Sequence, residues 1–266
     1  MPAEYLSWAP ADVDLGKPNP ARVYDYILGG ANNFEVDRAF AKQMLTLLPD
    51  AQALAQENRG FLRRVVAVLA EQGIRQFIDL GSGIPTVGNT HEVVQRIDPG
   101  ARVVYVDNEA VAVAHSELIL EGNENADILR ADIRDVSRVL DHDVTRRLID
   151  FDQPVALLMF AVLHFLSDQD DPYRLVAAYR DATVLGSCLA LSHVTTDGRP
   201  EVGDVLTRYS RSASQVTERN LAGVTRLFAG YDLVSPGVVF TREWRPEIEL
   251  EYSGSSPLYG GVGLRI

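Results

Sequence analysis

A chain of 266 residues suits one generous domain, or one domain with an added subdomain, since domains run to roughly 100–200 residues. Hydrophobic residues make up 46% and charged residues 23%, which excludes disordered, collagen-like and disulfide-scaffold chains. The formal charge is -12, from 37 acidic against 25 basic residues, and this leaves no bulk attraction for nucleic acid or anionic lipid.

Lys17 and Lys42 are the only lysines; the remaining basic residues are scattered arginines, as in a high-GC genome. Cys188 is the only cysteine, so an intrachain disulfide and a cysteine zinc site are both ruled out. No histidine pair has H-x-x-x-H spacing, and no metal site is expected. Glu4, Asp12 and Asp14 are the wrong flank for a signal peptide. The charge-free stretches Gln153–Ser167 and Ala182–Thr196 fall short of the ~18 apolar residues of a membrane span. These features predict a cytoplasmic protein with no nucleic acid or membrane partner. They leave the oligomeric state open.

The first 73 residues read as a helical cap. Asn19-Pro20 is a cap followed by proline at the first helical position, and Gly29-Gly30 stops the helix. Phe34, Phe40, Met44, Leu45 and Leu48 form a helical stripe that Pro49-Asp50 breaks. A long helix follows to Leu69, ended by Gly73.

From residue 74 to 266 the rhythm is that of a core. Apolar runs at Gln76–Leu80, Arg102–Val106, Ile128–Leu129, Val155–Met159 and Ser187–Ser192 alternate with helical segments. Those segments are Gly88–Ile97, Glu109–Leu120, Val136–Ile149 and Tyr173–Ala182. Alternation of this kind predicts a parallel sheet with right-handed crossovers, and continuous apolar runs predict a sheet buried on both faces. After His193, helices are expected at Arg199–Ser210 and Thr217–Ala229. Strands follow at Val234–Glu243 and Tyr259–Ile266, with an irregular acidic segment between them. The fold class is therefore α/β: a Rossmann-like, doubly wound, mostly parallel seven-stranded sheet with an N-terminal helical cap.

Phe77-Ile78-Asp79-Leu80-Gly81-Ser82-Gly83-Ile84-Pro85 is a strand ending in a glycine-rich turn. In an open α/β sheet ligands bind beyond the carboxyl ends of the strands, and glycine lets them approach the backbone. The alternative is a tight strand-to-helix turn. The second strand ends at Asp107, 24 residues after Gly83. An acid so placed accepts both ribose hydroxyls of a nucleoside, unless it only caps the next helix. Asp132 and Ile133 follow the third strand and suit an adenine amino group and ring face. The G-x-G-x-x-G fingerprint is incomplete, since Pro85 and Thr86 replace its end. That favours a nucleoside over a dinucleotide, and Asp79 favours a cationic or amine-bearing ligand over a pyrophosphate.

These strings resemble class I S-adenosylmethionine-dependent methyltransferases. From about residue 15 onward the chain is similar to the S-adenosyl methyltransferases of high-GC bacteria known as DUF574. The carrying strings are Asn19–Gly30, Asn32–Arg38, Asp79–Thr86 and Val104–Asn108. The resemblance implies that Asp79, Gly81, Ser82 and Gly83 face the methionine part of the cofactor. Asp107 would hold the ribose, Asn108 would flank the adenosine, and Asp132 and Ile133 would hold the adenine. Met159–His164, with Phe160, would form the loop where substrate and sulfonium meet.

Arg22, Tyr24, Tyr26, Asn32, Asn33 and Phe34 crowd polar and aromatic groups around the Gly-Gly break. They are expected to form a lid over the cofactor, with Tyr26 on the cofactor itself, or else a docked capping loop. His164 and His193 follow the fourth and fifth strands, and each is either a base or a hydrogen-bonded structural histidine. The leading expectation is methyl transfer from S-adenosylmethionine to an oxygen or nitrogen of a small molecule or peptide. A non-catalytic sensor or scaffold binding the same nucleoside is the alternative, and an NAD-dependent oxidoreductase the less favoured one.

Overall fold

The computed structural model describes Pro10, residues 12–246 and residues 256–266. Three helices come first: α1 (Pro20–Ile27), α2 (Glu35–Leu47) and α3 (Ala51–Glu71). Asn19 caps α1 by accepting from the Ala21 amide at 2.8 Å, and Pro20 opens the first turn.

The strands β1 (Gln76–Leu80), β2 (Arg102–Asp107), β3 (Ala126–Arg130), β4 (Ala156–Phe160) and β5 (Cys188–Val194) are parallel. Between them run α4 (Thr90–Ile97), α5 (Ala110–Leu120), α6 (Val136–Leu140), α7 (Asp143–Leu148) and α8 (Pro172–Asp181). After β5 come α9 (Val202–Ser212), α10 (Leu221–Arg226), β6 (Asp232–Leu233), β7 (Val239–Phe240) and β8 (Leu258–Leu264). β8 runs antiparallel to β5.

The strand order is β3-β2-β1-β4-β5-β8-β6, with β7 also on β8. The chain moves outward from β1 to β3, then returns to the other side of β1 with β4. That reversal opens a crevice at the carboxyl ends of β1 and β4, where ligands bind in such sheets. β1, β4 and β5 are buried along their whole length, as their unbroken apolar runs require. Ile78, Leu80, Val104 and Met159 face α6–α8 and α10, while Phe77, Val103, Tyr105 and Leu158 face the opposite layer.

Three expectations are corrected. The helix expected at 136–149 is two helices, because His142 caps α7 by accepting at Nδ1 from the Val144 amide. The strand expected at 234–243 holds only β7; β6 ends just before it at Leu233, and Ser235-Pro236-Gly237 parts the two, since a proline has no N–H for a ladder. Residues 241–243 then make a 3₁₀ turn. The edge is thereby broken in two, and the sheet has eight strands instead of seven. Most of the acidic segment expected between the last strands falls on residues 247–255, outside the described residues.

The 1–73 segment divides in the structure. Phe61, Leu62, Val65, Val66 and Leu69 of α3 pack on the sheet. Val23 of α1 and Phe40, Ala41 and Met44 of α2 form a separate cluster with Val205 of α9.

Candidate active site

A cavity of about 530 Å³ opens at the carboxyl edge of the sheet, roofed by α1, α3 and α9. That volume is typical of small-molecule sites. The β1 turn lines it with Asp79, Gly81, Ser82 and Gly83; the end of β2 with Asp107, Asn108 and Glu109; the end of β3 with Ala131, Asp132, Ile133 and Arg134. Phe160, Ala161, Val162 and His164–Leu166 line it from β4.

The β1 turn is shaped by hydrogen bonds to β2. The Gly81 and Ser82 amides both donate to the Val106 carbonyl, at 2.8 and 3.1 Å. Gly81 has φ +76°, and a Cβ there would sit 2.3 Å from Cγ2 of Val162, so only glycine fits. The Gly83 amide donates to Oδ2 of Asp107 at 2.7 Å, while Oδ1 of Asp107 accepts from the Glu109 amide at 2.9 Å. Each Asp107 oxygen thus has one backbone partner and a lone pair left for a ligand. Burial raises the Asp107 pKa, against those backbone bonds.

Asp79 accepts from Oγ1 of Thr90 at 2.8 Å and is buried. Burial pushes its pKa up to about 6, although Thr90 and the Arg59 charge pull the other way. Oγ of Ser82 and Nε of Arg59 are buried without hydrogen-bond partners. Two acids whose ionised forms are held at a cost, with an unpaired hydroxyl and an unpaired guanidinium nitrogen between the same elements, are the donor set a cationic amino-acid nucleoside would satisfy. Asp132 is differently placed. Arg134 grips both its oxygens, at 3.0 and 2.6 Å, and this holds its carboxyl below the usual range. The Ile133 carbonyl accepts from the Tyr179 hydroxyl, fixing the loop.

Of the six residues expected to form a lid (Arg22, Tyr24, Tyr26, Asn32, Asn33 and Phe34), Tyr24 alone lines the cavity. Its hydroxyl donates to the Ala55 carbonyl and accepts from Nδ2 of Asn58. Asn58 in turn accepts from Oγ of Ser192, and Ser192 accepts from the Ala161 amide, so one chain of bonds joins α1, α3, β5 and the β4 turn. Tyr26 is outside the lining and packs beside Val23 and Phe40. Arg22 is also outside it: its guanidinium bonds Asp37 at 2.8 Å and Glu109 at 3.0 Å. Asn32 and Asn33 donate to Oδ2 of Asp25, and Phe34 packs against Ile84 and Val111. The polar and aromatic density around Gly29-Gly30 therefore binds that segment to itself and to the core.

The two histidines part company. His193 is wholly buried and has both nitrogens engaged, Nδ1 with the Val194 carbonyl at 2.8 Å and Nε2 with Nη1 of Arg219 at 3.0 Å. A carbonyl only accepts, so Nδ1 carries the proton and the Nε2 lone pair is already taken. Burial brings its pKa down to about 4, with the Arg219 charge assisting. His164 lines the cavity, and its Nδ1 has no partner. Burial first, then His193 and Arg219, lower its pKa well below 6.5.

Asn58, Arg59, Ser192, Tyr209 and Arg219 complete the site and its support, yet no motif marks them in the sequence. Helical spacing on α3 was the available signal for Asn58 and Arg59, one turn beyond Leu54 and Ala55.

A family model described as S-adenosyl methyltransferase matches residues 6–265. A Thermobifida fusca YX protein solved as a candidate methyltransferase is 40% identical, with TM-score 0.93 over 97% of this chain and 98% of that one. A DUF574 family protein from Streptomyces avermitilis MA-4680 is 34% identical, with TM-score 0.90 over 94% and 98%. Human N-acetylserotonin methyltransferase, solved in complex with SAM, shares the fold at 12% identity and TM-score 0.51, over 93% of this chain and 63% of that one. A search of curated proteins finds no match. The chain belongs to the S-adenosyl methyltransferase family, and S-adenosylmethionine is the cofactor expected of it.

Proposed function

We propose that this cavity binds S-adenosylmethionine along the carboxyl ends of β1 to β3 and that the chain methylates an oxygen or nitrogen of a small molecule. The observation that carries this is the pair Asp79 and Asp107, on adjacent strand ends, around the Gly83 turn. Asp107 takes the ribose hydroxyls through its free lone pairs. Asp79 faces the amino and sulfonium cations, and Arg59 faces the carboxylate of the same amino-acid end. Asn108, Asp132 and Ile133 border the adenine, and Phe160 closes the side toward β4.

When bound, S-adenosylmethionine supplies a methyl group on a sulfonium, which passes to the acceptor atom as the carbon–sulfur bond breaks. This chain's part is to position the acceptor in line, to exclude water and to receive a proton where the acceptor must lose one. His164 can receive it, since its ring lines the cavity. His193 is the residue behind it. Tyr24 and the α1 roof exclude water. Among the described residues no helix is long and apolar enough to cross a membrane, and the buried Cys188 thiol, its pKa raised to about 11, suits a reducing cytoplasm.

Thermal unfolding with S-adenosylmethionine, S-adenosylhomocysteine and NAD tests the reading. A ligand at 100 times its Kd adds about 2.7 kcal/mol. Stabilisation by the two sulfur nucleosides and not by NAD is expected; stabilisation by NAD alone overturns it.

A further inference from the structure

The strand order sorts the cavity's charge into one half. Asp79, Asp107, Glu109, Asp132 and Arg134 all lie at the ends of β1, β2 and β3. Arg59 belongs to the same half, since Nη2 reaches the Gly88 carbonyl and Oδ1 of Asn89 beyond β1. The other half is walled by the turn after β4, by β5, by α9 and by the start of β8. Among the described residues its lining includes no carboxylate, lysine or arginine.

That wall is also aromatic. The rings of His164 and Phe165 lie 4.4 Å apart, and those of Phe165 and Tyr209 lie 6.1 Å apart. Val205, Leu206 and Val216 continue it. An ammonium group entering this half would lose its hydration with no counter-charge to meet, a penalty of several kcal/mol. A peptide would bring amides with too few partners. A flat ring meets aromatic edges and faces, and a single hydroxyl on it meets the one imidazole.

We infer, on the cofactor placement proposed above, that the methyl acceptor is an uncharged, mainly apolar ring compound bearing a hydroxyl, seated between α9 and the turn after β4 with its hydroxyl at His164. The acceptor is then a phenol or an enol of similar shape, and the transfer is to oxygen. The proton lost by the hydroxyl goes to the neutral imidazole, and from there to water. Arg219, whose Nη1 also lies 3.4 Å from the Leu163 carbonyl and whose Nη2 lies 3.2 Å from the Leu166 carbonyl, holds the turn that carries His164.

The test is calorimetric titration of the full-length protein. S-adenosylhomocysteine is titrated first, alone. The saturated protein is then titrated with 2-naphthol and, separately, with 2-naphthylmethylamine, which is an ammonium at pH 7.5. Wild type should bind the naphthol at least ten times more tightly. Leu206→Asp and, from a different segment, Val216→Asp should each weaken naphthol binding at least tenfold and favour the ammonium, with S-adenosylhomocysteine affinity unchanged. No S-adenosylhomocysteine binding by wild type overturns the cofactor placement and this inference with it. Retained S-adenosylhomocysteine binding with equal or better binding of the ammonium by wild type overturns the acceptor class alone.

Discussion

Arg219 donates from Nη1 to Nε2 of His193 across 3.0 Å, inside the core. The bond removes the only lone pair with which His193 could take a proton. It makes His193 a support of the 163–168 turn and leaves His164 as the group facing the cavity. Replacement should separate them. His193→Ala should cost roughly 2–4 kcal/mol, from a cavity and a buried guanidinium nitrogen short of a partner. His164→Gln should leave the urea midpoint and S-adenosylhomocysteine affinity nearly unchanged. It should lower kcat by about 10²–10⁴, the usual share of a general base. A kcat loss confined to the His193 variant would reverse the assignment.

The same burial predicts how stability depends on pH. His193 has its folded pKa depressed to about 4 from 6.5, so it is neutral when folded and gains a proton on unfolding between those values. Its contribution is full above pH 6.5 and is lost as pH falls toward 4. At 1.36 kcal/mol per unit that is about 3 kcal/mol. His164 acts in the same direction. Asp79 opposes them: its folded pKa of about 6 exceeds 3.8, so its contribution is full below 3.8 and lost as pH rises through 6. At pH 8, Asp79→Asn should therefore stabilise the ligand-free protein by about 1–3 kcal/mol while weakening S-adenosylmethionine by more than tenfold. Calorimetric melting at pH 8 and at pH 5 checks it; the gain should shrink at the lower pH. A destabilised Asp79→Asn at pH 8 would contradict the buried-charge account.

The two glycines of the β1 turn should respond differently to one added methyl. At Gly81 a Cβ would meet Cγ2 of Val162 at 2.3 Å, in addition to the left-handed φ of +76°. At Gly83 the φ is +68°, yet nothing lies within 4 Å of the added carbon. Gly83→Ala should cost about 1–2 kcal/mol of backbone strain alone. Gly81→Ala should cost more by a further 1–3 kcal/mol, as overpacking does. Adding Val162→Ala to Gly81→Ala should recover part of that loss. Equal costs at the two positions, measured by denaturant unfolding, would mean that Val162 yields freely.

The sheet was legible because its evidence is local. Five apolar runs bounded by turns place β1, β2, β4 and β5 to within two residues and mark only the middle of β3, and Asn19-Pro20 and Gly73 mark helix ends by their own backbone chemistry. The Asp79, Gly83 and Asp107 constellation was legible because topology brings successive strand ends together. What could not be read depends on contacts distant in sequence. Ser192 and Asn58 are 134 positions apart, and Arg219 and His193 are 26 apart. Tyr24 faces the cavity while Tyr26, two residues along the same helix, packs beside Phe40; residues two apart on a helix point to different sides. No spacing rule tells which of them meets α3 and which meets α2.

Arg22 ties α1 to α2 and to the loop after β2 through two acids of unequal burial. Asp37 is 0% exposed and takes Nε at 2.8 Å; Glu109 is 11% exposed and takes Nη1 at 3.0 Å. Arg22→Met keeps the apolar stem but strands both carboxylates, so a loss of about 3–5 kcal/mol is expected. Asp37 also accepts from the Asn19 and Phe34 amides, which blunts the penalty without neutralising the charge. Double-mutant cycles with Asp37→Asn and Glu109→Gln, read by urea unfolding, should give a larger coupling for Asp37, because water screens Glu109 more. Glu109 presents its backbone amide to Asp107, so Glu109→Gln should leave S-adenosylhomocysteine affinity within about threefold (under 1 kcal/mol), whereas Arg22→Met, by loosening α1 over the cavity, should weaken it more. Equal couplings would mean that the two acids share the guanidinium evenly, and that the roof is held as firmly from the β2 loop as from α2.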